Sequence, residues 1–130
     1  MSTRLTSIEV ADEVLQHCAA KDFAGADPFD MLNSQLFQKT PLKNYGLPRL
    51  ALIQLGKRLP ISFRRLLQVP ELRNPKGVAL FVMGLLEDFK RTKSPEKLAT
   101  ATSLGKWIET QKCDPAKWNH ACWGYHFDWQ

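Results

Sequence analysis

The stretch Asn74-Pro-Lys-Gly-Val-Ala-Leu-Phe-Val-Met-Gly-Leu-Leu-Glu-Asp-Phe-Lys-Arg-Thr-Lys-Ser-Pro95 decides the fold. A short polar side chain followed by proline is a helix start. The polar group can accept one of the free N–H groups of the first turn, and proline brings a preset φ to a position whose own N–H would have no partner. Asn74-Pro75 therefore predicts a helix over 76–90, and Ser94-Pro95 predicts a second over 96–111, with Leu98, Ala101, Leu104, Gly105 and Ile108 as its apolar stripe. Residues 77–86 are apolar enough to pass for a strand, but they begin too well capped. Asp114-Pro115 repeats the same device, so the pattern reads helix, turn, helix.

Working outward, Leu5, Ile8, Val10, Ala11, Val14, Leu15, Cys18 and Ala19 recur at the three-to-four spacing of one helical face, with Ser7 as the expected N-cap. A further helix is expected over 47–57, with Leu47, Leu50, Ala51, Ile53, Gln54 and Leu55 mostly on one side and Pro48 in its first turn. Pro60 ends or restarts it, and a short helix over 61–67 follows. Residues 21–34 hold Gly25, Pro28 and three aspartates between apolar residues, which reads as an ordered loop in which Asp27-Pro28 opens a single turn. No stretch alternates like a strand between hairpin turns. The expected fold class is all-α, built of antiparallel helical hairpins, although the connections 21–46 and 57–74 are long for a small independent bundle.

A chain of 130 residues, 44% apolar, is about one domain's worth, so residues 1–130 are expected to form a single helical domain. The composition excludes collagen, coiled coil and wholesale disorder. No apolar run reaches the roughly 18 residues of a spanning helix, and the polar start carries no secretion pattern. Three cysteines, Cys18, Cys113 and Cys122, are too few and too scattered for a disulfide framework. The expected compartment is the cytoplasm.

The net charge of +5 is unevenly spread: residues 1–34 sum to −4, residues 35–76 to +8 and the remainder to +1. Complementary solvated faces of one fold account for this. The sharper reading is an anion-binding site fed by Arg64, Arg65 and Arg73. Nucleic acid is not an expected partner, because no recognised module or basic stripe with stacking aromatics accompanies the charge.

Chemistry-bearing residues cluster in two places. Asp22, Asp27 and Asp30 resemble the carboxylate sets that flank a glycosidic bond, and capping or turn formation is the simpler role for Asp27 and Asp30. The other cluster is 118–130, Trp-Asn-His-Ala-Cys-Trp-Gly-Tyr-His-Phe-Asp-Trp-Gln, which holds five of the thirteen aromatics. Each large ring wants about 150–250 Å² of burial, so these residues predict an apolar patch that lacks its covering surface, supplied either by a protein partner or by further residues of the same gene product. His120, Cys122, His126 and Asp128 are metal-ligand types, but their spacing matches no zinc signature, and no metal or cofactor is expected. No phosphate loop, nucleophile elbow or nucleotide fingerprint is present.

Taken together, Asp22-Phe-x-Gly-x-Asp-Pro-Phe-Asp-x-Leu-Asn-Ser34, Arg49-x-Ala-x-Ile-Gln-Leu55, Asn74-Pro-Lys-Gly77 and Trp123-Gly-Tyr-His-Phe-Asp-Trp-Gln130 resemble the N-terminal part of a longer bacterial family. That family is similar to the α/α-toroid proteins (terpene cyclases, prenyltransferases, six-hairpin glycosidases) and is associated with exopolysaccharide and lipopolysaccharide gene clusters. The resemblance implies an incomplete toroid, with loops such as 22–34 and 123–130 at one mouth. It implies a role in cell-surface polysaccharide biosynthesis or glycan binding, on a carbohydrate or lipid-linked sugar. Trp123, Tyr125 and Trp129 would stack on sugar rings, Asp22, Asp27, Asp30 or Asp128 would be the polar or catalytic partners, and Arg64 and Arg65 would bind charged ligand groups. The Asp-x-Asp-Asp motif of terpene cyclases and the zinc ligands of protein prenyltransferases are missing, so neither chemistry carries over. The alternative is a helical protein–protein interaction module without catalytic activity, docking through its aromatic C-terminus.

Overall fold

Helix α1, Ser7–Ala20, begins one residue earlier than its sequence suggests. Thr6 Oγ1 accepts the Glu9 N–H at 3.3 Å while the Glu9 carboxylate accepts the Thr6 N–H at 2.7 Å, a reciprocal capping box. The backbone bond and then the hydroxyl bond hold the Glu9 carboxyl below its ordinary range. The computed structural model describes residues 6–27 and 29–127. Among them are six α-helices, two 3-10 helices and two isolated β-bridges, with no strand, so the fold class is all-α. The chain divides into two compact units, Met1–Ala24 with Arg73–Gly124, and Gly25–Leu72 with Tyr125–Gln130.

In the first unit, α5 spans Pro75–Thr92 and α6 spans Pro95–Thr110. Asn74 accepts the Lys76 N–H at 3.0 Å, as a proline-assisted start requires. Ser94 makes no side-chain cap bond, so Pro95 alone sets the start of α6. Only Lys93 and Ser94 separate the two helices, and packing along their length makes them an antiparallel hairpin. The turn is closed by Lys93 in the left-handed region (φ 56°), whose N–H reaches the Phe89 carbonyl at 2.8 Å.

Val78 and Leu85 of α5 bury against Ala101 and Leu104 of α6, with Leu15, Phe23, Phe81, Val82, Trp107 and Ile108 packed around them. Burying each large apolar side chain is worth roughly 1.5–3 kcal/mol, so this seam holds the unit together. Helix α1 adds no buried residue. Asp114-Pro115 opens a turn, with Asp114 Oδ1 accepting the Ala116 N–H at 2.9 Å, and no helix follows. The chain folds back instead, so that Lys112 and Trp123 face each other across an antiparallel bridge. Trp123 Nε1–H donates to the Ile108 carbonyl at 2.7 Å. This fold-back outcompetes the local helix signal.

The second unit is closed at its ends by paired hydrogen bonds between Gly25 and Leu72, at 3.1 and 3.2 Å. The expected loop over 21–46 is shorter than its sequence suggests. It contains a 3-10 helix at Asp30–Asn33, helix α2 at Gln35–Gln38 and a second 3-10 helix at Pro41–Asn44. Helices α3, Gly46–Gly56, and α4, Ile61–Leu66, complete it. The core here is small: Met31, Leu32, Ile53 and Phe127, with the polar Asp30, Ser34 and Arg64 buried among them. Gly56 is required by a close approach, because a Cβ there would overlap the Met31 side chain, itself fully buried.

Candidate functional site

Asp30 begins a 3-10 helix because its carboxylate holds the turn before it, accepting the Asp27 N–H at 2.8 Å, while Asp27 Oδ1 accepts the Phe29 N–H at 2.9 Å. The other Asp30 oxygen pairs with Arg64 Nη1, and Arg64 Nη2 donates to the Asp27 carbonyl at 2.6 Å. Both partners are buried. Ser34 Oγ donates to the Leu67 carbonyl at 2.6 Å and accepts the Phe37 N–H at 3.2 Å, which caps α2. The motif from 27 to 34 thus ties the loop to α4 through groups that are already hydrogen-bonded.

The acids that the sequence groups belong to two different units. Asp27 and Asp30 share one hydrogen-bonded node in the second unit. Asp22 belongs to the first unit, where its carboxylate and its carbonyl both receive Arg73. Asp22 and Phe23 both take left-handed backbone, φ 53° and 55°. This conformation, unusual for side chains of these types, places Phe23 against Phe81 at 5.2 Å between ring centres. Asp128 lies outside the described residues.

The arginines are distributed likewise. Arg64 is committed to Asp30 and the Asp27 carbonyl, so its guanidinium is engaged within the fold. Arg73 pairs with Asp22 and lies over the Trp107 ring at 5.3 Å. Arg65 is exposed, and among the described residues no carboxylate pairs with it, nor with Lys39, Lys43 or Arg58.

Of the aromatics near the C-terminus, Phe127 is buried, stacked between Tyr125 at 5.1 Å and Phe29 at 6.5 Å, with Lys57 Nζ 4.4 Å above the Phe29 ring. Trp118 and Tyr125 remain 57% and 54% exposed. Trp123 is also exposed and belongs to the first unit, Tyr125 belongs to the second, and Trp129 lies outside the described residues. His126 is held by its backbone, whose carbonyl accepts Asn33 Nδ2–H at 3.1 Å, while both ring nitrogens are shielded and make no hydrogen bond among the described residues. Burial lowers its pKa, opposed by the charges of Asp30 and Asp27. Among the described residues no three His, Cys, Asp or Glu side chains converge where they could hold a metal ion.

Two open cavities flank α1 in the first unit, of about 390 and 460 Å³. The smaller is lined by Leu15, Phe23 and Leu85 with Asp12 and Lys97. Lys97 bridges Asp12 at 3.1 Å and also Asp88, while Glu96, also in the lining, pairs with no cation among the described residues. Neither cavity presents a convergent set of unpaired polar groups.

Sequence periodicity finds helix α3 but misses which of its faces is buried. Ile53 and Gly56 point into the unit, while Leu47, Leu50, Ala51 and Leu55 are exposed, Leu47 by 81%. Those four, with Gln54, follow the i, i+3, i+4, i+7, i+8 spacing of one helical face, and Arg58 lies in the turn just past its end. The helix is apolar on two faces, and the expectation that Ile53 shares a side with Leu47 and Leu50 does not hold. The available signal was that apolar residues occur too often in 47–55 to fit one stripe.

No known protein family, curated protein or solved structure matches the chain. No helix among the described residues is long and apolar enough to cross a membrane.

Proposed function

We propose that this chain is a helical protein-interaction module whose docking surface is the outward face of α3, and that its occupant is an acidic amphipathic helix of a partner protein. One observation carries the reading: Leu47, Leu50, Ala51 and Leu55 form an exposed apolar stripe with Lys43 before it and Arg58 one turn beyond, neither paired with a carboxylate among the described residues. A helix of eleven residues presents about 16 Å of such a face. Apolar burial supplies the affinity, and the flanking cations select an acidic partner and speed its encounter. The acids suggested for catalysis support the same reading, since Asp22, Asp27 and Asp30 are each engaged in the fold by ion pairs or backbone bonds.

A second reading, glycan binding within a larger toroid of a polysaccharide pathway, draws on the exposure of Trp118, Trp123 and Tyr125, since exposed rings are what stacking on sugars uses. A display library of helical peptides, panned against the full chain, distinguishes the two. The docking reading expects enrichment of acidic amphipathic sequences that is lost with Leu47→Glu/Leu50→Glu and kept with Trp118→Ala. Absence of enrichment, together with oligosaccharide binding that Trp118→Ala or Tyr125→Ala abolishes, overturns it in favour of the second. Binding to anionic vesicles in place of acidic peptides overturns it in favour of a membrane surface.

A further inference from the structure

The fold-back after α6 brings together two side chains that stand nine positions apart in the chain. Lys112 faces Trp123 across the antiparallel bridge, so the next opposed pair along the two segments is Cys113 and Cys122, and the Cys113 N–H donates to the Cys122 carbonyl at 2.9 Å. Directly opposed residues in an antiparallel pair stand about 4.5–5.5 Å apart between Cα atoms. That separation falls inside the roughly 4.4–6.8 Å that a disulfide spans. Both thiols are free and half-buried. The bridge is anchored beside them by Trp123, through its bond to the Ile108 carbonyl at 2.7 Å and the Lys112 ammonium 5.8 Å from its ring. The third cysteine, Cys18, sits apart on α1.

We propose that Cys113 and Cys122 are a redox pair that closes to an intramolecular disulfide by exchange with a low-molecular-weight disulfide such as oxidised glutathione. Burial, and then the hydrogen bond and charge of the Cys113 thiol beside it, push the Cys122 thiol up. The exchange runs through the two sulfurs in turn; opened at Cys113, it proceeds in two steps. The Cys113 thiolate attacks one sulfur of oxidised glutathione, the S–S bond breaks, and one glutathione thiolate leaves and takes up a proton. Cys122 then loses its proton to solvent and attacks the Cys113 sulfur of the mixed disulfide. The protein S–S bond forms and the second glutathione leaves. The protein gives up two protons and two electrons, and one oxidised glutathione becomes two thiols. The bond staples the segment 113–122, which carries the exposed Trp118, against the end of α6. The inference is independent of the proposed docking role.

The test equilibrates the full chain in glutathione buffers from reducing to oxidising, quenches with acid, alkylates the remaining thiols and maps the peptides. The expected result is that Cys113 and Cys122 lose alkylation together in one two-electron step, that the intact mass falls by about 2 Da for the two hydrogens lost, and that Cys18 stays alkylated. Cys122→Ser is expected to stop at one glutathione on Cys113. Continued alkylation of both cysteines under oxidising buffer, a separate glutathione on each, or a bond to Cys18 or to a second chain overturns the proposal.

Discussion

At the scale of single residues, the Asp30–Arg64 pair sets the largest expected effect. Both side chains are buried, and removing one partner strands the other charge away from water. Asp30→Asn is therefore expected to lower stability by about 3–5 kcal/mol, read by urea unfolding. Asp30→Leu with Arg64→Met is expected to restore part of that loss, since no uncompensated charge remains even though the Asp27 N–H and carbonyl lose their partners; a double variant as unstable as the single would contradict the assignment. His126 gives the pH dependence. Burial depresses its pKa in the fold, so the unfolded chain binds the proton more readily, and stability is present above the ordinary imidazole value of about 6.5 and is lost as pH falls below it. Denaturation midpoints are expected to fall as pH drops below about 6.5 more steeply in the native chain than in His126→Gln, and equal slopes would contradict this. The sequence made Asp27 and Asp30 recognisable as turn residues, because their bonds are local. The identity of Asp30's buried partner was not legible, since Arg64 is 34 positions away and nothing near it in the chain distinguishes it from the adjacent Arg65.

At the scale of elements, the helix starts at Asn74-Pro75 and Ser94-Pro95 were readable because proline and a short polar side chain act within one turn, and the α5–α6 hairpin follows from them. Asp114-Pro115 carries the same signal and fails, because the pairing of Lys112 with Trp123 competes from nine residues downstream. The α5–α6 turn holds an unfavourable choice, a lysine in left-handed backbone at Lys93. Lys93→Gly is expected to raise stability by about 0.5–1 kcal/mol, glycine adopting that φ without a Cβ penalty, measured as an upward shift of the thermal midpoint with α5 and α6 retained by circular dichroism. A fall in the midpoint would show that Lys93's placement over the Phe89 ring, 5.9 Å away, outweighs the backbone term. Helix α3 shows where periodicity misleads: when both faces are apolar the pattern loses its direction, and only the close approach of Gly56 to Met31 identifies the inner side.

At the scale of the whole molecule, the net charge of +5 conceals a division of labour. The acids are largely engaged within the fold, whereas Lys39, Lys43, Arg58 and Arg65 face no carboxylate among the described residues, and the apolar stripe of α3 lies in the same unit. The composition made the excess of cations in 35–76 visible, but which of them are internally neutralised depends on the folded chain. The account rests on that stripe as a docking face, and a titration tests it most directly: fluorescence anisotropy of a labelled acidic amphipathic helical peptide with the native chain and with Leu50→Ala, at low and high salt. Burying a leucine is worth about 1.5–3 kcal/mol, so the account predicts that Leu50→Ala weakens binding about tenfold or more, and that salt weakens binding to both proteins. Affinity unchanged by Leu50→Ala and by salt would contradict it.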